Sequence, residues 1–418
     1  MLRSKRLKID NLFKFFTIIF FLINTLLLSQ ESRTDFKIQS NPNGSDFWWL
    51  EKNNFGINST NFNLQTKWEL KKSKIIYSFD ISFQEQRSYL NESFIKYNYS
   101  EKTFLRFGKY YRDFSGYLND KLSSGHMLIS HNAAPMPKVG LVTSQKKIKK
   151  LPKVDFDFGI AHGVFEKNNF YKKAPFLHEK FLYLNIVNNN HKISIGLIHE
   201  AIWGGNIEGH GNQPSKFKDF LKIFISEDGP LNEGEPHPNA LGNHLGLWEF
   251  YYQYNQDNQV LKLYYQHLFE DTSGLRFRNE IDGLWGIELK NYVPQTTILL
   301  EYLDTSHQYM NPPYVAESYY NHTLYQSGWS YKNYTIGNPF IPHSKTDPTK
   351  IIHIGINGTI ISNYNYQIKM SKKIDINDII KYRFDIIKKI NNHNRIGIFI
   401  VNNDDKSNGV GFQIDWIL

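Results

Sequence analysis

Apolar and polar residues alternate with a period of two along most of this chain. That is the signature of half-exposed β-strands, whose successive side chains point to opposite faces. Phe62, Leu64, Trp68 and Leu70 share one face of a segment whose other face carries Asn63, Gln65, Lys67 and Glu69. Ile75, Tyr77, Phe79, Ile81 and Phe83 repeat the pattern against Ser78, Asp80, Ser82 and Gln84. Val154, Phe156, Phe158 and Ile160 oppose Asp155 and Asp157, and Tyr364, Tyr366, Ile368 and Met370 oppose Asn365, Gln367 and Lys369. Polar turns such as Asn188-Asn189-Asn190, Gln256-Asp257-Asn258 and the run 402–408 join neighbouring segments. Strands joined so closely pair as antiparallel hairpins. The final residues continue the pattern: Val410, Phe412, Ile414, Trp416 and Leu418 alternate with Gly411, Gln413 and Asp415.

Three stretches break the alternation. From Asp120 to Leu141 the chain reads DKLSSGHMLISHNAAPMPKVGL, with small residues and prolines in place of strand pattern. From Gly204 to Asn243 it is rich in Gly and Pro, but Phe217, Phe220, Leu221 and Phe224 fall at i, i+3, i+4 and i+7. That spacing predicts a short amphipathic helix, with Pro214 just before or at its start. The third stretch runs from Thr305 to Lys350. Irregular segments this long in a compact protein are functional loops or plugs.

The alternation fits a soluble β-sandwich as well as a transmembrane β-barrel, whose strands face lipid on one side and a lumen on the other. The N-terminus bears on the choice. Arg3, Lys5, Arg6 and Lys8 precede an apolar run from Phe15 to Leu28, the order of a secretory signal peptide ending near residue 30. The run is short for a membrane anchor helix, and Thr17, Asn24 and Thr25 interrupt it. Three further details favour the barrel. The polar faces carry Lys67 with Glu69 and Asp155 with Asp157, as a wet lumen allows. Aromatics gather near segment ends (Tyr97, Tyr99, Tyr110, Tyr111, Tyr251, Tyr252, Tyr254), where membrane girdles sit. The chain also ends on a strand, which would close the sheet and leave no edge in lipid. The expectation is a signal peptide over 1–30 and, over 31–418, one all-β transmembrane antiparallel barrel with short helical and irregular plug elements.

Composition narrows the chemistry. There is no cysteine, which excludes disulfides, thiolate metal sites and a lipoprotein anchor. The net charge is +9, but residues 1–30 hold five Lys/Arg and one Asp, leaving +5 dispersed over the rest. That is too little to indicate nucleic acid. No catalytic motif emerges. His178-Glu179 and His199-Glu200 lack the second histidine of a zincin, and Asp271-Thr272-Ser273-Gly274 reads as an acidic turn. Neither a cofactor nor a metal is expected. What remains is a binding surface. Arg276, Arg278 and Asp282 crowd one irregular block and Tyr325 and Trp329 another. They combine faces that stack on sugar rings with partners for hydroxyls. Taken singly, each also suits a girdle or a lumen hydrogen bond.

At these blocks the chain resembles a known family. LSSGHMLISHNAAPMPKVGL, APFLHEKFLYL with HEAIWGG, FEDTSGLRFRNEIDGLWGIEL and YYNHTLYQSGWSYKNYTIGNPFI are similar, in that order, to blocks of the capsule-assembly Wzi family of outer-membrane proteins, in its Bacteroidetes branch. The resemblance implies an outer-membrane barrel of about 18 strands acting as a lectin for capsular or exopolysaccharide. Its partners would be that polysaccharide and outer-membrane lipid, and a monomer is expected. On that view Asp120 to Val139 plugs the lumen. Ser123, Ser124 and Gly125 make its turn, Met127, Leu128 and Ile129 its buried contact, and Pro135 and Pro137 stop continuation as strand. Arg276, Arg278, Asp282, Tyr325 and Trp329 are the candidate sugar contacts, at the extracellular mouth. Two alternatives stay open: a diffusion channel or polysaccharide-export pore, and an outer-membrane enzyme.

Overall fold

A computed structural model of the protein describes residues 32–40, 62–84, 88–229, 240–270, 275–308, 319–344, 348–374, 380–402 and 408–417. The expected signal peptide, the Asp271–Gly274 turn and Leu418 lie outside these residues. The strands join in one antiparallel sheet that closes on itself as an 18-stranded barrel. Ser88–Leu90 and Ser93–Asn98 both pair with Ile75–Gln84 and form one interrupted stave. Closure occurs at the first strand, Ser32–Ser40, in which Phe36 pairs with Thr66 on one side and Trp416 on the other. No edge remains there to meet hydrocarbon with unpaired backbone groups, which lipid does not tolerate.

The connections sort by length. Two-residue turns at 73–74, 149–150, 189–190, 257–258 and 362–363 lie at one end, and the long links 111–135, 204–242 and 305–349 at the other. In barrels of this kind the short turns face the periplasm and the long connections face outward. Asn189 and Asp257 take positive φ (50° and 49°), as their tight hairpins require.

The period of two separates two media. Leu182, Leu184 and Ile186 of Phe176–Asn188 pair with Leu197, Ile195 and Ile193 of His191–Trp203, and all six are exposed. The residues between them, Phe181, Tyr183 and Asn185, point inward and are buried. Leu263, Ile287, Leu300, Ile398 and Phe412 extend the exposed band around the wall. An apolar surface that continuous is far beyond what a soluble sandwich leaves to water, and here it is the lipid face. The lumen is polar. Asn185 Nδ2 donates to Asp155 Oδ1 and Asp157 Oδ2, both at 2.9 Å, and Lys138 Nζ meets Glu179 at 2.7 Å. Where an aromatic fills the lumen, the neighbouring strand gives way. A Cβ on Gly286 would stand 2.0 Å from Tyr264 Cζ, so only glycine lets that ring lie flat against the wall.

Three expectations need correction. The stretch from Asp120 does not stay irregular to Leu141, because a strand starts at Met136 (Met136–Ile148). Pro137 is tolerated because it pairs with Lys109 on one side only, pairing on the other side beginning at Lys138. Tyr110, Tyr111 and Tyr251 are not girdle residues. Tyr110 is buried beneath the Arg106 guanidinium and the Lys138 ammonium, Tyr111 packs edge-on against His131, and Tyr251 stacks on Tyr117 at 4.6 Å. Tyr97 and Tyr99 are exposed, as a girdle requires. Finally, the predicted helix forms (α1, Phe217–Ile225) but does not enter the lumen. Gly204 and Gly205 (φ 65° and 84°) turn the chain back over the rim, and α1 lies against outward-facing Ala201 and Trp203. The inward row of the same strands carries Glu179 and Glu200, which a Phe-rich helix cannot cover without stranding their charge.

Candidate functional site

Two irregular segments, 111–135 and 319–344, fill the outer half of the lumen. Each is bonded to the other and the first is bonded to the wall. Among themselves, Trp329 Nε1 donates to Leu128 O (2.7 Å), Asn338 Nδ2 to Gly125 O (2.7 Å), Ser130 Oγ to Gly337 O (2.6 Å) and Asn132 Nδ2 to Thr335 O (2.9 Å). The Tyr320 hydroxyl donates to Met127 O. Inward-facing wall residues hold the first segment, among them Glu301, Glu249, Gln266, Tyr183 and His353. Glu301 accepts from Ser123 Oγ (2.7 Å) and Ser124 N, and Glu249 from Ser115 Oγ (2.7 Å) and His126 Nε2 (2.9 Å). Gln266 Oε1 takes Met127 N (3.0 Å), Tyr183 bonds Ser115, and His353 Nε2 donates to Leu122 O (2.6 Å). These wall residues come from five different strands, so the segment crosses the lumen.

Ser123, Ser124 and Gly125 form a buried bend. Gly125 N donates to Ser123 Oγ (3.0 Å), and Gly125 takes φ 125°, where a Cβ would stand 3.1 Å from Pro339 Cδ. Met127, Leu128 and Ile129 are buried in the main apolar core with Trp329, Tyr319 and Tyr320. The carboxylates that hold this bend were missed in the sequence. Their signal is visible in hindsight: Glu249 stands in its inward row between Leu247 and Tyr251, and Glu301 between Leu299 and Leu303. A buried charge in such a row needs dedicated donors.

The candidate sugar contacts divide. Arg276 and Arg278 are exposed on a turn at the rim, beside Phe277, which stacks on His267 at 4.3 Å. Asp282, Tyr325 and Trp329 are buried and face no solvent. Asp282 accepts from the Tyr319 hydroxyl (2.6 Å) and His307 N (2.9 Å), and burial pushes its carboxyl up to about 6. The Tyr325 hydroxyl reaches Gly204 O (3.3 Å). All three are enclosed and offer a sugar ring no stacking face, which residue type alone did not reveal. Exposed on the second segment are Lys332 and Asn333 of a hairpin, with half-buried Tyr334 beside them, and Thr323 and Gln326. Lys332 N donates to Glu166 Oε1 (2.9 Å) at the outer end of a wall strand.

Among the described residues, Asp282, Asp304 and His307 place ligand atoms within 4.8 Å of one another. Their oxygens already accept protein donors, with Tyr302 OH (2.7 Å) and Ser306 N (2.8 Å) on Asp304, so the group closes on itself without an ion. Below the plug lies a polar cavity of about 350 Å³ lined by Asp157, Asn185, Lys192, Gln253 and Lys262. A larger depression, about 800 Å³, is on the outer wall among Ile193, Phe250, Leu263, Trp285 and Ile352. Its apolar lining faces lipid, so acyl chains suit it and sugars do not.

The architecture has known counterparts. The Escherichia coli Wzi protein, an outer-membrane protein involved in group 1 capsule assembly and described as a carbohydrate-binding β-barrel, is 14% identical. It matches with a TM-score of 0.61 over 96% of this chain and 87% of its own. A mutant Rh. blastica porin (7% identity, TM-score 0.41, covering 93% and 98%) and Salmonella typhi OmpF with daunomycin (8%, 0.40, 93% and 97%) are more distant. No curated protein sequence matches. The family model for Capsule assembly protein Wzi matches residues 35–349, well over half of the chain, and the protein belongs to that family.

Proposed function

We propose that this outer-membrane barrel holds capsular or exopolysaccharide at the cell surface by binding it, as a single barrel and without catalysis. The observation that carries the reading is the filled lumen. Two segments some 200 residues apart in sequence interlock inside it, and the inner one is strapped to buried Glu249 and Glu301. A diffusion channel or export pore needs an open path through that space. Family membership and the carbohydrate-binding description of the E. coli protein support the same reading. The sugar-facing surface is the outer rim, where Arg276 and Arg278 offer charge-assisted donors and Lys332, Asn333 and Tyr334 a mixed polar and aromatic edge. Asp282, Tyr325 and Trp329 support this surface from beneath. Two measurements test the proposal together. Cells lacking the protein are expected to shed polysaccharide into the medium at an unchanged rate of synthesis, and the purified protein to give no steady conductance in planar bilayers. Ohmic channels from the wild-type protein, or full retention of polysaccharide without it, would overturn it.

A further inference from the structure

Helix α1 presents two apolar ridges, and the barrel uses only one. Phe220, Ile223 and Phe224 face the wall. Phe220 lies 5.8 Å from the Trp203 ring and 5.0 and 5.4 Å from His162 and His178, and Ile223 is buried against Ala201 and Trp203. The start of the helix is capped by its own residues and its end is anchored to the wall. Lys216 N donates to Asp219 Oδ2 (2.8 Å), while the Lys180 ammonium donates to Phe224 O and lies over the Phe224 ring. Ser226, the C-cap, bonds His199 Nε2 at 3.0 Å.

The second ridge is Phe217, Leu221 and Ile225, exposed to 75, 50 and 66%. Residues four apart advance only about 40° around a helix, so these three form one stripe beside the wall-facing one. Lys218 and Lys222 follow on its far side. The helix therefore carries, in order around its axis, a barrel face, a bare apolar face and a basic face.

Its position gives the bare face a neighbour. His178 pairs with Ala201, Lys180 with His199, then Leu182 with Leu197, so the covered outer patch passes straight into the exposed lipid band. One step of two residues along a strand is only about 7 Å. The helix thus rests at the outer margin of the apolar belt, at the end of the barrel that carries the long connections.

We propose that α1 is an interfacial foot seated in the outer leaflet, with Phe217, Leu221 and Ile225 among the acyl chains and Lys218 and Lys222 against anionic headgroups. The occupant is the lipid surface itself. The ridge continues the barrel's own lipid face, and the lysines match the phosphate charge above it. A helix with one apolar side and a lysine-rich polar side settles in this plane of a bilayer. The foot also seals His178 and the inner side of Trp203 beneath it. Anchoring of this kind fixes the depth and tilt of the barrel on one side, below the rim.

The chain has no cysteine, so single probes report cleanly. Full-length protein carrying Leu221→Cys or Lys218→Cys, labelled with an environment-sensitive fluorophore, is reconstituted into vesicles of phosphatidylcholine with or without phosphatidylglycerol. At Leu221 a blue-shifted emission, quenched by nitroxide lipids and shielded from aqueous iodide, is expected; at Lys218 the iodide quenching is stronger. Equal iodide access at the two positions would overturn the proposal. The headgroup half has its own readout, since each lysine near an anionic surface favours seating by roughly fivefold. The Leu221 shift is thus expected to grow with phosphatidylglycerol and to lose that dependence when Lys218 and Lys222 become Gln. Identical behaviour in the two bilayers would sink that half. A Phe217→Ser, Leu221→Ser, Ile225→Ser variant, checked for a heat-resistant barrel, is expected to become trypsin-sensitive at α1 in vesicles. Wild-type protein cut equally fast there would also overturn the assignment.

Discussion

At two bends of the plug a histidine ring does the work of a backbone carbonyl. His126 Nδ1 accepts from Leu128 N (3.0 Å) and Ile129 N (3.1 Å), and His322 Nδ1 accepts from Leu324 N and Tyr325 N, both at 3.1 Å. Both rings must be neutral for this, because a protonated Nδ1 has no lone pair to offer. Burial holds both down from 6.5, His322 to about 4, with the nearby His244 adding to the effect there. A depressed histidine contributes stability that is whole above pH 6.5 and is lost as pH falls through the folded value. For the half-buried His322 the term is on the order of 2 kcal/mol. Asp282 acts in the opposite sense: its carboxyl, raised from 3.8 to about 6, contributes stability that is present below pH 4 and lost as pH rises toward 6. Comparison of variants separates the two. His322→Asn keeps a side-chain acceptor for the bend but does not titrate in this range. Heat-modifiable migration in gels, followed from pH 6.5 to 4, is expected to fall less steeply in the variant than in the wild type. Identical slopes would show that His322 is not among the acid-sensitive contacts.

At the scale of elements, the strands and the place of the plug were legible and the partners of the plug's residues were not, for a physical reason. A barrel strand separates lipid from lumen along its whole length, so each residue declares its side, as Leu182 to Ile186 do against Phe181 to Asn185. The helix was legible from the spacing of its phenylalanines, but not which face of the wall it meets, because that choice depends on Glu179 and Glu200 lying opposite Ala201 and Trp203. Plug residues take their roles from partners some 200 positions away. Trp329 reads as a sugar-stacking ring until its Nε1 is seen on Leu128 O. Its truncation therefore has a different consequence from the loss of a surface ring. Trp329→Ala removes a fully buried indole, at a cost of about 3–5 kcal/mol, from a plug whose wall is closed independently by backbone pairing. The barrel is expected to stay heat-resistant while bilayer conductance appears and external protease gains access between Ser123 and Met136. Arg276→Ala with Arg278→Ala is expected to do the converse, loosening polysaccharide and leaving the lumen shut. A Trp329→Ala barrel that fails to assemble, or one that stays shut and uncut, would contradict the division of roles.

For the whole molecule, everything rests on closure. The ring has one joint between distant parts of the chain, where Asn408–Ile417 is inserted between Asn394–Asn402 and Ser32–Ser40. On its outward face Val410 and Phe412 meet lipid, and on its inward face Gln413 reaches Gln39, so this strand keeps both media apart as the others do. Its removal is not equivalent to losing one part in eighteen. Two strands would be left with open edges in hydrocarbon, where each unpaired backbone group costs several kcal/mol, and the sum exceeds the net stability of ordinary domains. Water reaching those edges would also meet the lumen charges from the side. A chain ending after Asn402 is therefore expected to give no heat-modifiable band in the outer membrane and to be degraded before insertion. Trp416→Leu, which keeps the backbone pairing and an apolar outward side chain, is expected to assemble normally. If the shortened chain instead reaches the membrane and resists heat in detergent, Ser32–Ser40 must be finding another partner, and the joint lies elsewhere than between the first and last strands.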